Sequence, residues 1–422
     1  MTGGVNSVSF WKDLKSRLDE LSSEDWSILR RLALLFFLIL FTYPLVRSTT
    51  TAIFIQHHGA ASTPTVWFFS IFVLAAAIGV YNRFQAKVSV HALFVWTCLI
   101  SVCLFGLGVL ALSQGFSLVA YFLYIWKEAY IILLVHMALG YLNTSIDVNL
   151  AKMLYGPFGA VGSLGGLLGG ICTTILAANF FEAWAILLLS CVLIVITGLV
   201  FAGMSRKNCL SQQTRDQSQE NIKKSPLESL KGVYPYIACI CLVIVMTQFC
   251  INLVNFKFNL LFDQLIESER EKTQYLGLVY STINGLSLFV QMLIVPLVMR
   301  YFGLKAIHLS IPIIYLGFVL AGLIGDVGSL FLVSMAFVAV KGLDYSLFSA
   351  AKELLYFALD AKQKFGAKYL VDMFFYRFGK GLISLLLIFY QSIYFVNTML
   401  ILSLVVWWFA LLGLFYFRPR TI

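Results

Sequence analysis

Apolar stretches of about 20 residues recur along the whole of this 422-residue sequence. That is the length an α-helix needs to cross the roughly 30 Å hydrocarbon core of a bilayer. Twelve such stretches can be delimited: 32–55, 64–81, 91–113, 117–141, 158–178, 183–203, 235–261, 275–299, 307–325, 329–349, 369–391 and 397–417. Composition agrees, with 60% of residues hydrophobic and only 12% charged, where soluble globular chains carry about 25% charged residues. Lipid offers no hydrogen bonds to a peptide backbone, so each stretch must satisfy its own. The expected fold class is therefore all-α, a polytopic membrane protein with twelve transmembrane helices.

The formal net charge of +10 reads first as topology. With the N-terminus inside, twenty-two of the thirty Lys and Arg residues fall on the inner side. Only Arg270 and Lys272 fall outside, diluted by Glu267, Glu269 and Glu271. This bias predicts that both termini are cytoplasmic. The longest interruption, "MSRKNCLSQQTRDQSQENIKKSPLESLKGV", divides the chain into two halves of six spans. The expected organisation is a cytoplasmic tail over 1–31, a six-helix half over 32–203, a central loop over 204–234, a second six-helix half over 235–417 and a short tail over 418–422. Two six-helix halves joined by a basic central loop resemble the major facilitator superfamily, whose halves are repeats. In the N-terminal tail, Phe10, Leu14, Leu18 and Leu21 share one helical face, which fits an amphipathic helix on the membrane surface or one packed on a cytoplasmic loop. No short apolar region precedes a small-residue cleavage site there, so no cleavable signal is expected.

Six basic residues and three acids remain inside the spans: Arg47, Lys127, Lys257, Lys341, Arg377 and Lys380, with Glu128, Asp344 and Asp372. A charge near the bilayer centre costs at least about 2.5–3.5 kcal/mol, so such groups face water, pair, or do both. Spans 1 and 7 correspond across the halves, as do spans 4 and 10, and each of the four carries a base. Arg47, Lys257 and Arg377 are also placed to snorkel to a membrane face. Lys341 and Asp344, three residues apart, share a helix face and could pair structurally. Lys127 and Glu128 lie about 100° apart around a helix and are expected to seek other partners. In span 11, Asp372, Tyr376 and Lys380 form a polar stripe, with Arg377 beside it. Asn252, Asn255 and Asn259 form another in span 7, serving as helix glue or solute contacts. Pro44 is a point where span 1 could open. In span 5, Gly162, Gly166 and Gly170, and again Gly165 and Gly169, repeat every four residues, a spacing that lets two helices approach closely.

Several stretches resemble the ADP/ATP translocase family of plastids and intracellular bacteria, distantly related to the major facilitator fold. They are "LVRSTTT" (45–51), "WKEAY" (126–130), "NLAKMLYGPFG" (149–159) and "AAKELLYFALDAKQKFGAKYLVDMFFYRFGKG" (350–381). In the last, Lys352, Glu353, Tyr356, Leu359, Asp360, Lys364, Asp372, Arg377, Gly379 and Lys380 match the family pattern. The resemblance implies nucleotide transport served by charges in spans 1, 4, 7 and 11, with Arg47, Glu128 and Lys380 at matching positions. It also shows two departures: Thr50 stands where the family keeps a lysine, and Asn255 where it keeps an acid.

The excess of base over acid favours a secondary transporter, an antiporter or a proton-coupled carrier, for an anionic, nucleotide-like or phosphorylated metabolite. The candidate solute-binding residues are Arg47, Lys127, Glu128, Asn255, Lys257, Lys341, Asp344, Asp372, Tyr376, Arg377 and Lys380. The alternative is a transporter-derived protein that binds a lipid or protein partner without moving solute. No HExxH or GxSxG motif is present, the histidines lack ligand spacing, and seven of the eight cysteines lie in apolar segments. No enzymatic activity, cofactor, metal or nucleic acid is expected. The expected partners are a small anion, ATP or ADP among the candidates, and the lipid bilayer. The chain is expected to act as a monomer in a bacterial inner membrane.

Overall fold

The computed structural model describes residues 21–419 apart from 86, 147, 180, 205–229 and 325–328, together with Ser16 and Asp19. The amphipathic stretch expected over 10–21 and the central loop lie almost wholly outside the described residues. Among the described residues the chain forms twelve long helical rods: α1 (Ser23–His58), α2 (Ala60–Gln85), α3 (Val90–Ser113), α4 (Val119–Ser145), α5 (Val148–Asn179), α6 (Ala183–Ala202), α7 (Tyr234–Leu265), α8 (Glu269–Tyr301), α9 (Leu304–Ile324), α10 (Leu330–Ala358), α11 (361–389) and α12 (Ile393–Tyr416). Eleven are long and apolar enough to cross a membrane. The remaining one, α11, carries Asp372, Arg377 and Lys380 close together in its middle.

Serines set several of the starts. Ser22 and Asp25 cap α1 reciprocally, the Asp25 N–H donating to Ser22 Oγ at 3.2 Å and the Ser22 N–H to Asp25 Oδ2 at 3.2 Å. Ser89, Ser329 and Ser392 accept from the first turns of α3, α10 and α12. Each such cap satisfies a donor that the helix cannot satisfy itself. The opening expected at Pro44 does not occur. The α1 helix runs unbroken through this buried proline, because a proline removes one hydrogen bond and neighbouring helices hold the turn.

The chain separates into two compact units: Met1–His58, Phe72–Leu210 and Ile266–Leu288 form one, and Gly59–Ile71, Ser211–Leu265 and Phe289–Ile422 the other. In the first unit the glycines of α5 are contact surfaces on two sides. A Cβ on Gly165 or Gly169 would collide with the carbonyl oxygens of Phe37 and Phe41 on α1. On Gly170 it would come 2.7 Å from Ser281 Cβ and 2.8 Å from the Gly277 carbonyl oxygen on α8. Backbone therefore meets backbone at Gly165, Gly169 and Gly170, while Gly162 and Gly166 make room for the side chains of Leu40 and Asn284. Glycine's freedom matters differently in the second unit at Gly59, where φ is +73° and the chain turns into α2. There Asp263 accepts from the Ala60 N–H at 2.8 Å.

Three rods contain a turn of π-helix, at Val290–Ile294 in α8, Asp344–Phe348 in α10 and Tyr369–Phe375 in α11. Such turns are rare and concentrate at functional sites.

Replacing Gly170 with leucine has no space to enter without separating α5 from α8. The expected loss is at least about 1–3 kcal/mol, the range for overpacked sites. A lowered melting temperature of the detergent-solubilised protein measures it, while leucine at Gly106, where an added Cβ meets nothing within 4 Å, leaves that temperature unchanged.

Candidate functional site

In the first unit, α1 brings Arg47 beneath α8. Its guanidinium lies 4.1 Å from the Tyr280 ring centre and 5.6 Å from that of Tyr43. A cation on an aromatic face gains about 0.5–2 kcal/mol, more as water is excluded. On α4, the Lys127 side chain is 1% exposed and its ammonium sits 2.6 Å from the Tyr124 ring centre. The expectation that Lys127 and Glu128 would not meet is corrected: Nζ lies 3.8 Å from Glu128 Oε1. The long lysine stem folds back over the preceding turn and closes the 100° gap between the two Cβ directions. Glu128 keeps 23% of its side chain exposed. Of the tyrosines on this helix, Tyr130 packs edge-on against Phe105, and Tyr124 packs at a tilt against Phe54.

The sequence reading missed one charge in this unit. Lys272, assigned to a loop, lies in the first turn of α8, is 3% exposed and donates to Gln56 Oε1 at 3.0 Å. Thr50, at the position of the family's lysine, is wholly buried, and its hydroxyl donates to the Val46 carbonyl of its own helix at 2.6 Å. That side chain is committed to the backbone.

In the second unit the predicted residues divide. Lys257 is set apart: its ammonium donates to the Gly322 carbonyl on α9 and to Asn397 Oδ1 on α12, each at 3.2 Å. It borders a cavity of about 20 Å³ otherwise lined by Asn397 and apolar side chains such as Val254, Val333 and Leu400. Asn255, two residues away, is half-buried. Of the α7 asparagines, Asn252 serves the helix itself, donating to the Gln248 carbonyl at 2.7 Å.

The other residues gather on α10 and α11. Asp344 is buried, and Lys341 stands 5.1 Å from the Tyr345 ring centre. The α10 helix continues to Ala358, past the limit expected at 349. This extension carries Lys352 and Glu353 into the fold, where Lys352 Nζ meets Asp372 Oδ1 at 2.6 Å and Lys368 Nζ meets Glu353 Oε2 at 2.5 Å. Neither pairing was expected, although the family pattern contains Lys352, Glu353 and Asp372. Tyr376, Arg377 and Lys380 follow on α11, all half-buried. An array of guanidinium and ammonium groups with few acids can hold phosphate oxygens, Arg by paired N–H bonds and Lys as a point charge.

Residues 107–416 match a family described as TLC ATP/ADP transporter. The ADP,ATP carrier protein 1 of Chlamydia muridarum is 24% identical over 316 residues, covering 65% of this chain and 59% of the carrier. The chloroplastic ADP,ATP carrier protein 1 of Arabidopsis thaliana is 23% identical over 417 residues, 83% of this chain and 66% of that protein. The chain thus spans about three fifths to two thirds of the length of these relatives. Among solved structures, a D-xylose-proton symporter superposes with a TM-score of 0.65 at 14% identity, covering 95% of this chain and 100% of that one. The nucleoside transporter NupG gives 0.64 at 14% identity, covering 92% and 97%. At such identities the likeness is one of fold, the twelve-helix major facilitator type.

The isolation of Lys257 has a measurable consequence. Changing it to methionine strands the Asn397 amide oxygen and is expected to cost about 1–3 kcal/mol, read as a lowered melting temperature. Adding Asn397→Leu should cost less than the two single losses combined, because the pair acts as a unit.

Proposed function

The chain belongs to the TLC ATP/ADP transporter family, and from that premise we propose that it is a secondary active transporter of an anionic, phosphorylated solute of the nucleotide type, working by alternating access. The family match carries this reading, because it covers most of the chain and includes the segment with the densest intramembrane charge, 350–381. ATP and ADP are the first solutes to test, as the named relatives are ADP,ATP carriers. Arg47, Lys127, Lys341, Arg377 and Lys380 supply positive charge for phosphates. Glu128 and Asp372 are the candidate proton carriers if movement is coupled to protons and not to exchange. Lys257 and Asn255 remain in the proposed set as contributors from α7, Lys257 through its tie to α9 and α12. The excess of Lys and Arg on one side supports cytoplasmic termini. A bacterial inner membrane, with the chain acting as a monomer in its lipid, completes the reading.

A second reading, a transporter-derived protein that binds a lipid or protein partner without cycling, is favoured by Thr50. Its burial and its bond to Val46 leave that family position without the charge its relatives use.

Counterflow into proteoliposomes separates the two. Labelled ATP, ADP, other nucleotides and sugar phosphates are each tried against an internal pool of the same solute. Accelerated flux of at least one is expected, and none from folded protein removes the transporter reading. Glu128→Gln and Lys380→Gln are each expected to cut that flux at least about tenfold, the scale of one lost charge-assisted bond, with melting temperatures close to the parent's. Normal flux in both variants would exclude them from the site.

A further inference from the structure

Two acids of the second unit sit where their helices depart from α geometry. Asp344 opens the π turn of α10, and Asp372 lies in the middle of the π turn of α11. Between them stands Lys352, on the α-helical turn that follows the first of these. Its ammonium touches Asp372 at 2.6 Å. The two carboxylates differ in access: Asp344 is 6% exposed, whereas the Asp372 side chain is 33% and that of Lys352 17% exposed. The Glu353–Lys368 pair, one residue along α10, already ties α10 to α11, so Lys352 is not needed solely to hold these helices together.

We propose that Lys352 is a solute-contacting residue, and that Asp372 occupies it when no solute is bound. This rests on the transporter reading. A carboxylate oxygen and a phosphate oxygen make the same charge-assisted bond to an ammonium. An incoming anion can therefore take the place of Asp372 by exchange of partners, with no covalent change. Competition with a tethered carboxylate selects for charge. The tethered group has a high effective concentration, so a free monocarboxylate, offering a single like charge, displaces it poorly. A di- or triphosphate offers several charges where a monocarboxylate offers one. The pair thus favours polyanionic phosphates over monocarboxylates at Lys352.

The test uses the full chain in detergent and in proteoliposomes, with tripolyphosphate, ATP and acetate as probes and each variant's own melting temperature recorded. Tripolyphosphate and ATP are expected to raise the wild-type melting temperature by mass action, and acetate is not. Asp372→Asn frees the lysine and should shift the half-maximal tripolyphosphate concentration down about tenfold, while Lys352→Gln shifts it up at least about tenfold, each tenfold being 1.4 kcal/mol. Lys352→Arg keeps the charge and should stay near the parent if the glutamine variant fails to fold. The reversed pair, Lys352→Asp with Asp372→Lys, restores a structural tie but moves the cation to α11, and should remain weak. Wild-type affinity in the reversed pair or in Lys352→Gln, or no tripolyphosphate shift in the wild type, overturns the proposal. In that last case ATP counterflow by the same preparation would leave the transporter reading standing. Conversely, a Lys352-dependent shift without counterflow supports Lys352 as an anion contact and removes transport.

Discussion

The interior of a bilayer supplies no hydrogen bonds, and most features of this molecule answer that one constraint. The backbone answers it by forming helices end to end. Hydroxyls answer it by bonding back to their own helices, as Thr42, Thr49, Thr97, Thr173 and Thr247 do to the carbonyl four residues earlier. The charges answer it with partners drawn from the chain: Tyr280 for Arg47, Tyr124 and Glu128 for Lys127, Asn397 for Lys257, Gln56 for Lys272 and Asp372 for Lys352.

Those partners differ in kind, and the difference bears on role. Lys257 and Lys272 each donate to a neutral oxygen on another helix, which binds separate helices together. Arg47 and Lys127 rest on aromatic faces, which stabilise a cation while leaving its hydrogen-bond donors directed elsewhere. Lys352 meets a partly exposed carboxylate at 2.6 Å, an anion that a solute anion can mimic.

The close approach of α5 to α1 and α8 has a separate origin. Van der Waals contact supplies most of the attraction between helices in lipid, so a helix without side chains along a stripe gains by letting backbones meet. Gly165 and Gly169 do this with α1, and Gly170 with α8. The spacing of the glycines forecast the contact, though not which helices would make it.

By itself the sequence determined that the chain crosses a membrane as helices, where most of the apolar spans lie, and which stretches resemble nucleotide carriers. These follow from local quantities: the length of apolar runs, the placement of Lys and Arg, and short motifs. Tertiary structure decided the partners. The apolar stretch of span 10 ends at 349, which leaves Lys352 outside it; in the structure the α10 helix continues to Ala358 and brings Lys352 to Asp372, twenty residues on. Lys272 was hidden in the same way, its partner Gln56 lying 216 residues away. Helical periodicity also argued against a Lys127–Glu128 contact, since it tracks Cβ directions and not the reach of a lysine stem. Pairing between distant segments depends on which helix faces meet, and no local pattern in the chain encodes that.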